Sequence, residues 1–235
     1  MTVRRVLLAL IATAFAVPAP THAVPTAPED PVVAAATGWA VVSGGGDHTC
    51  GIRTDGSLWC WGSNVFGMLG VGDGSNEHAY RTRVGTATDW VPVTTRGFHA
   101  CGIRAGGTLW CWGRNDQGQL GVGDHADRHS PVQVGAVAWA LVAAGNDHTC
   151  GVRFSQMLCW GDNAYGQLGL GDTTDRLSPQ QVGTTIDWRT VQVGGYHVCG
   201  LGLDDRLWCW GYNVDGELGL GDTTNRKSPV QVPAP

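Results

Sequence analysis

The sequence predicts an all-β fold: a β-propeller-like array of about four four-stranded blades, either a closed small ring or an open arc. Three observations carry that prediction. The stretch HTCGIRTDGSLWCWG from His48 returns as HACGIRAGGTLWCWG from His99, HTCGVRFSQMLCWG from His148 and HVCGLGLDDRLWCWG from His197. Marker tryptophans Trp39, Trp90, Trp139 and Trp188 stand in steps of 51, 49 and 49 residues. Each step holds four short strand segments parted by Gly/Asp/Asn clusters, the residues that turns require. Four strands in each step, repeated in tandem, suit propeller blades, small sheets that bury their faces only on one another. Parallel solenoid coils would repeat at about 20 to 30 residues.

Taken in chain order, residues 1–23 read as an export signal, 24–30 as a linker and 31–235 as the repeat domain. The repeats run approximately 31–83, 84–133, 134–181 and 182–232. Arg4 and Arg5 precede the apolar segment Val6 to Val17, and Thr21-His22-Ala23 ends on a small residue, the pattern of a cleaved secretory signal. That apolar segment is too short to span a hydrocarbon core of about 30 Å, so no membrane attachment is expected after cleavage. Removing the two arginines leaves thirteen basic and twenty acidic residues. An acidic surface with the single lysine Lys227 argues against nucleic acid as a partner. A segment beginning Pro31-Val32-Val33-Ala34 precedes the first marker as Pro131 precedes Trp139, and Pro229 to Val232 follows the last copy. One end of the array could therefore complete a blade begun by the other.

Within each unit, the spacing of the cysteines follows from hairpin register. A three-residue loop at 54–56, with Gly56 in the left-handed position, opposes Arg53 to Ser57 and, three pairs inward, Cys50 to Cys60. The pair is non-hydrogen-bonded, with Cα atoms about 4.5 Å apart, within disulfide reach. The same reasoning pairs Cys101 with Cys111 across Ala105-Gly106-Gly107, and Cys199 with Cys209 across Leu203-Asp204-Asp205. In the third unit a two-residue loop, Phe154-Ser155, restores the opposition of Cys150 to Cys159, although its residues suit a tight turn poorly. Export to an oxidising compartment favours these four local bridges. A His-x-Cys zinc site is the rival, but no fourth ligand recurs at a fixed offset, and no metal is expected. Strand alternation sends Trp59 and Trp61 to the face opposite Cys60, towards the next blade, with Trp59 across from Gly51, whose missing side chain leaves room for an indole.

The segments WGRNDQGQLGVGDHADRHSPVQVG from Trp112 and WGDNAYGQLGLGDTTDRLSPQQVG from Trp160, following a Gly-x-His strand, resemble the repeats of the regulator of chromosome condensation family. The resemblance extends over residues 31–232. It implies a propeller of four-stranded blades, seven-bladed in familiar members, whereas this chain holds material for four. A small ring, an open arc, or a homodimer whose second chain completes the ring would each accommodate that shortfall. Activities implied by the resemblance include guanine nucleotide exchange on a small GTPase and inhibition of secreted enzymes through aromatic and acidic loop residues at one end of the ring.

Comparing the copies with one another separates scaffold from variable positions. Before the recurrent histidines stand Asp47, Phe98, Asp147 and Tyr196; second after the recurrent asparagines stand Phe66, Gln117, Tyr165 and Asp215. Asp47, Phe66, Phe98, Asp147, Tyr165 and Tyr196 are the candidate binding residues, an aromatic and acidic patch on one rim of the kind that serves protein hot spots. The recurrent His48, His99, His148 and His197 are read as hydrogen-bonded within their own blades, and Asp172 and Asp175 as turn residues rather than calcium ligands. No Gly-x-Ser-x-Gly, phosphate loop or His-Glu-x-x-His occurs, so neither a catalytic site nor a cofactor is expected. The function expected is that of a secreted or periplasmic, non-catalytic propeller that binds or inhibits another protein or a surface ligand. The alternative, from a different class, is a regulator of a small GTPase resembling the exchange factor.

Overall fold

The computed structural model describes residues 38–184 and 186–234, within the compact unit Pro31–Pro235. The export signal, the linker and the Pro31 to Ala34 segment lie outside the described residues. Each copy folds as one antiparallel four-stranded meander. The first blade is β1 (Trp39–Gly44), β2 (His48–Arg53), β3 (Leu58–Ser63) and β4 (Glu77–Arg83). The second is β5 (Trp90–Arg96), β6 (His99–Arg104), β7 (Leu109–Gly113) and β8 (Arg128–Gln133). The third is β9 (Leu141–Ala144), β10 (His148–Arg153), β11 (Gln156–Gly161) and β12 (Arg176–Gln181). The fourth is β13 (Trp188–Val193), β14 (His197–Gly202), β15 (Leu207–Gly211) and β16 (Arg226–Gln231). The described residues form no helix, and so none long and apolar enough to cross a membrane. Pro229 to Gln231 completes the fourth blade itself, as part of β16, and the four sheets form an open arc rather than a closed ring.

The central hairpins have the predicted register. Cys50 opposes Cys60, Cys101 opposes Cys111, Cys150 opposes Cys159 and Cys199 opposes Cys209. All four pairs are disulfides, with Cα atoms 4.1 to 4.2 Å apart. In the first loop Gly56 takes φ +77°, and its amide bonds the Arg53 carbonyl. The third hairpin closes as predicted at some conformational cost: Phe154 and Ser155 both lie in the left-handed region, at φ 47° and 60°.

Each sheet has two unlike faces, and the core is made where unlike faces meet. Cys50, Ile52, Leu58, Cys60 and Leu69 of the first blade pack with Trp90, Val93, Ala100 and Trp112 of the second. Equivalent clusters join the second blade to the third and the third to the fourth. The disulfide face of one blade thus receives the tryptophan face of the blade that follows it. The expected direction is corrected here: the tryptophans face the preceding blade, because strand alternation assigns residues to faces without saying which neighbour lies on which side.

The two tryptophans of each Trp-Cys-Trp segment also have different tasks. Trp59 bonds Ser57 Oγ, Trp110 bonds Thr108 Oγ1, and the guanidinium groups of Arg53 and Arg104 lie over them. Trp112 reaches across to donate its indole N–H to the Met68 carbonyl of the preceding blade at 3.0 Å; Trp160 does so to Gln119 and Trp210 to Gln167. The indole that fills the space over Gly51 comes from neither. It is Trp39 of β1, whose ring would stand 2.8 Å from a Cβ at that position, and Trp90, Trp139 and Trp188 cover Gly102, Gly151 and Gly200 likewise. Cross-strand opposition of Trp59 to Gly51 is correct, but the marker tryptophan folds back over the glycine from the other side.

His48, His99 and His148 are buried at the blade junctions, and His197 is half-buried. Thr149 donates its hydroxyl to the Gln119 carbonyl, so it accepts from Nε2–H of His99 at 2.8 Å, a bond to the following blade rather than within its own. Neither ring nitrogen of His48 or His148 finds a partner among the described residues. Burial pulls the pKa of His48 down to about 4 and those of His99 and His148 to about 3.

Two predictions follow from this architecture. Cys101→Ser combined with Cys111→Ser opens a bridge of sequence separation 10. Loop-closure entropy assigns that bridge about 2 to 3 kcal/mol, so the urea midpoint should fall correspondingly, and an unchanged midpoint would show that the ladder alone holds the hairpin. As pH drops below about 6.5 the unfolded chain protonates its histidines while folded His48, His99 and His148 stay neutral. Stability present above that pH is therefore lost progressively down to about pH 4 for His48 and about pH 3 for His99 and His148, at up to about 1.4 kcal/mol per pH unit for each histidine. Urea titrations at pH 7.5, 6 and 5 check the slope, which should become shallower in His48→Gln.

Candidate functional site

The variable rim residues are carried by two turns. One is the tight connection that enters the His-x-Cys strand; the other is the Asn-x-x-Gly-x-Leu turn after the Trp-Cys-Trp strand. In the second, Asn64 Oδ1 accepts the Leu69 amide at 3.1 Å, and Asn115, Asn163 and Asn213 hold Leu120, Leu168 and Leu218 likewise. Asp172 accepts from Asn163 and Arg176, and Asp175 accepts the Asn163 amide, so both carboxylates serve the turn. With these turns locked, the residues before His99, His148 and His197 meet the turn of the preceding blade.

At the first junction Phe66 meets Phe98 edge to face, ring centroids 5.5 Å apart. At the third junction Tyr165 meets Tyr196 at 5.5 Å. Between them, Arg114, Gln117, Asp147, Asp162, Tyr165 and Tyr196 line a cleft of about 250 Å³. Five of the six candidates, Phe66, Phe98, Asp147, Tyr165 and Tyr196, therefore lie along one run of junctions. Asp47 does not join them: it stands exposed on the first blade, and no turn among the described residues precedes it.

The rim holds residues that the comparison of copies passed over. Arg114 lies over both Phe66 and Phe98, 5.5 and 5.8 Å from their centroids, and its other contacts are Asp116 and Asp147. Tyr212 packs on Tyr165 at 4.9 Å and on Tyr196 at 6.4 Å. Asp162 completes the centre. All three occupy the variable position of Trp-Gly-x-Asn, which reads Ser63, Arg114, Asp162 and Tyr212. The signal was present in the sequence at a third variable column.

Burial raises the Asp147 carboxyl above the ordinary carboxylate value, and neighbouring Asp116 and Asp162 add to the rise while Arg114 opposes it. Asp162 is raised for the same first reason, with Asp175 adding and the Ala164 amide opposing. The strip thus sets two partly desolvated carboxylates between a phenylalanine pair and a tyrosine cluster. Such groups gain from an incoming cation flanked by apolar surface.

Known proteins match this architecture. Residues 106–152, 156–201 and 204–235 fit the profile described as Regulator of chromosome condensation (RCC1) repeat, and a second profile of that description fits 40–67, 139–167 and 188–217. The Ultraviolet-B receptor UVR8 of Arabidopsis thaliana is 33% identical over 98 residues, 41% of this chain and 22% of the receptor. The crystal structure of human WBSCR16 superposes with TM-score 0.76 at 24% identity, covering 85% of this chain and 54% of that one. The structure of Kap60 bound to yeast RCC1 (Prp20) gives TM-score 0.74 at 20% identity, covering 84% of this chain and 49% of the other. The match thus spans about half of each of these structures and a smaller share of the receptor. Profiles covering more than half of its residues, four four-stranded sheets and the repeated Trp-Gly-x-Asn turn together make this chain a member of the regulator of chromosome condensation repeat family.

Proposed function

We propose that the chain is an exported, non-catalytic module that binds another protein through the strip running from Phe66 and Phe98, past Arg114, Asp147 and Asp162, to Tyr165, Tyr196 and Tyr212. The observation that supports this reading is the contiguity of the strip: residues from all four blades touch in succession along one run of junctions. Rigid aromatic anchors around a partly desolvated charged centre are what hot spots are made of. A fitting partner segment carries a lysine or arginine beside an apolar side chain, the cation towards Asp147 and Asp162 and the apolar group towards the aromatics.

Four disulfides favour an oxidising compartment, in keeping with an export signal at residues 1–23. A small GTPase of the reducing cytosol fits that setting poorly, and no observation of the rim favours nucleotide exchange.

Immobilised wild-type chain and the Phe98→Ala/Tyr196→Ala variant, exposed to medium from cells that export the protein, provide the test. The protein retained by the wild type should bind the variant at least about 30-fold more weakly, since loss of a hot-spot side chain costs about 2 kcal/mol or more. Equal affinity, with circular dichroism unchanged, would remove the strip as the binding surface.

A further inference from the structure

The joint between blades is built three times within the chain, with the same parts each time. On the receiving side, the Gly-x-Leu-Gly turn offers a carbonyl to an indole, a glycine against which that indole lies, and a later glycine amide. Met68 O, Gly70 and Gly72 supply these in the first blade, Gln119 O, Gly121 and Gly123 in the second, and Gln167 O, Gly169 and Gly171 in the third. On the inserting side stand an indole and an outer-strand carbonyl. Trp112 and His129 O meet the first turn, Trp160 and Leu177 O the second, and Trp210 and Lys227 O the third, with amide-to-carbonyl distances of 2.7 to 2.9 Å.

Among the described residues, each end of the arc keeps one unmatched half of this joint. The first blade presents the inserting half: Trp61 corresponds to Trp112, Trp160 and Trp210, and Ala79 of β4 corresponds to His129, Leu177 and Lys227. Trp61 Nε1 makes no hydrogen bond among the described residues, and Trp39 is 44% exposed where Trp90, Trp139 and Trp188 are 6%, 5% and 2% exposed. The fourth blade presents the receiving half: the Glu217 carbonyl, Gly219 and the Gly221 amide. A Cβ on Gly219 would meet no indole, only Val232 at 3.8 Å, and Leu207 is 39% exposed where its equivalents Leu58, Leu109 and Met157 are completely buried. One end therefore lacks what the other end offers, in donors, acceptors and shape.

We infer that the open tryptophan face of the first blade docks on the open disulfide face of the fourth blade of a second copy of this chain. Trp61 of one protomer donates its indole N–H to the Glu217 carbonyl of its partner and lies against the partner's Gly219, while the partner's Gly221 amide reaches the Ala79 carbonyl. The occupant is a second copy because the joint that would form continues the three already made. Two copies joined at both ends close an eight-bladed ring, at the upper end of the usual range of about four to eight blades. This surface is separate from the rim strip, so failure of either reading leaves the other standing.

Sedimentation equilibrium on the oxidised, exported chain tests the joint. Wild type should have the mass of two chains, and Trp61→Arg and Leu207→Glu should each have the mass of one, half the wild-type value. Mixing the two variants is the decisive arm, because Leu207→Glu retains an intact inserting face and Trp61→Arg an intact receiving face. The mixture should regain the two-chain mass, which no folding defect in the variants would produce. A one-chain mass for wild type at tens of micromolar, as when the chain's own N-terminal segment covers the face, overturns the inference. So does a mixture that stays at one chain.

Discussion

Everything else in the structure depends on one contact: the indole that follows the second cysteine in the second, third and fourth blades lies against a glycine of the preceding blade and gives its N–H to a carbonyl of the same turn. A four-stranded sheet of this size buries too little on its own to be stable. Packing a disulfide face against a tryptophan face buries both, and the indole hydrogen bond sets their register. The glycine is obligatory there. At Gly70, Gly121 and Gly169 a Cβ would stand 2.6 to 2.8 Å from the ring, and φ is near +70° at each.

Strands, hairpin register and disulfide pairing were legible in the sequence because each follows from local rules. Alternation assigns faces, loop length sets opposition, and cysteines opposed across a ladder can bridge. What escaped depends on how sheets stack. Nothing in HACGIRAGGTLWCWG says that Trp112 belongs to the joint while Trp110 stays under Arg104, or that Trp90 and not Trp110 covers Gly102. His99 crossing to Thr149 escaped for the same reason. Stacking direction is a relation between units, and a single unit carries no record of it.

The rim shows the converse. Comparison of the copies marked five residues that the fold brings into one run, because positions equivalent in sequence are equivalent in space when the repeat is regular. Asp47 stands apart from that run because, among the described residues, no turn precedes the first blade. Arg114, Asp162 and Tyr212 were missed through neglect of one variable column, although they join the two aromatic groups into a strip. Scaffold and site therefore divide cleanly: the residues that recur build the joints, and those that change sit where the joints reach the surface.

Hydrogen exchange of the indole N–H groups, followed by nuclear magnetic resonance on the oxidised chain, tests the repeated joint most directly. Trp112, Trp160 and Trp210 should all exchange orders of magnitude more slowly than a free indole, because each N–H is buried and bonded across a blade junction. Exchange at the free-indole rate at any of the three, in a chain that remains folded, would contradict the account.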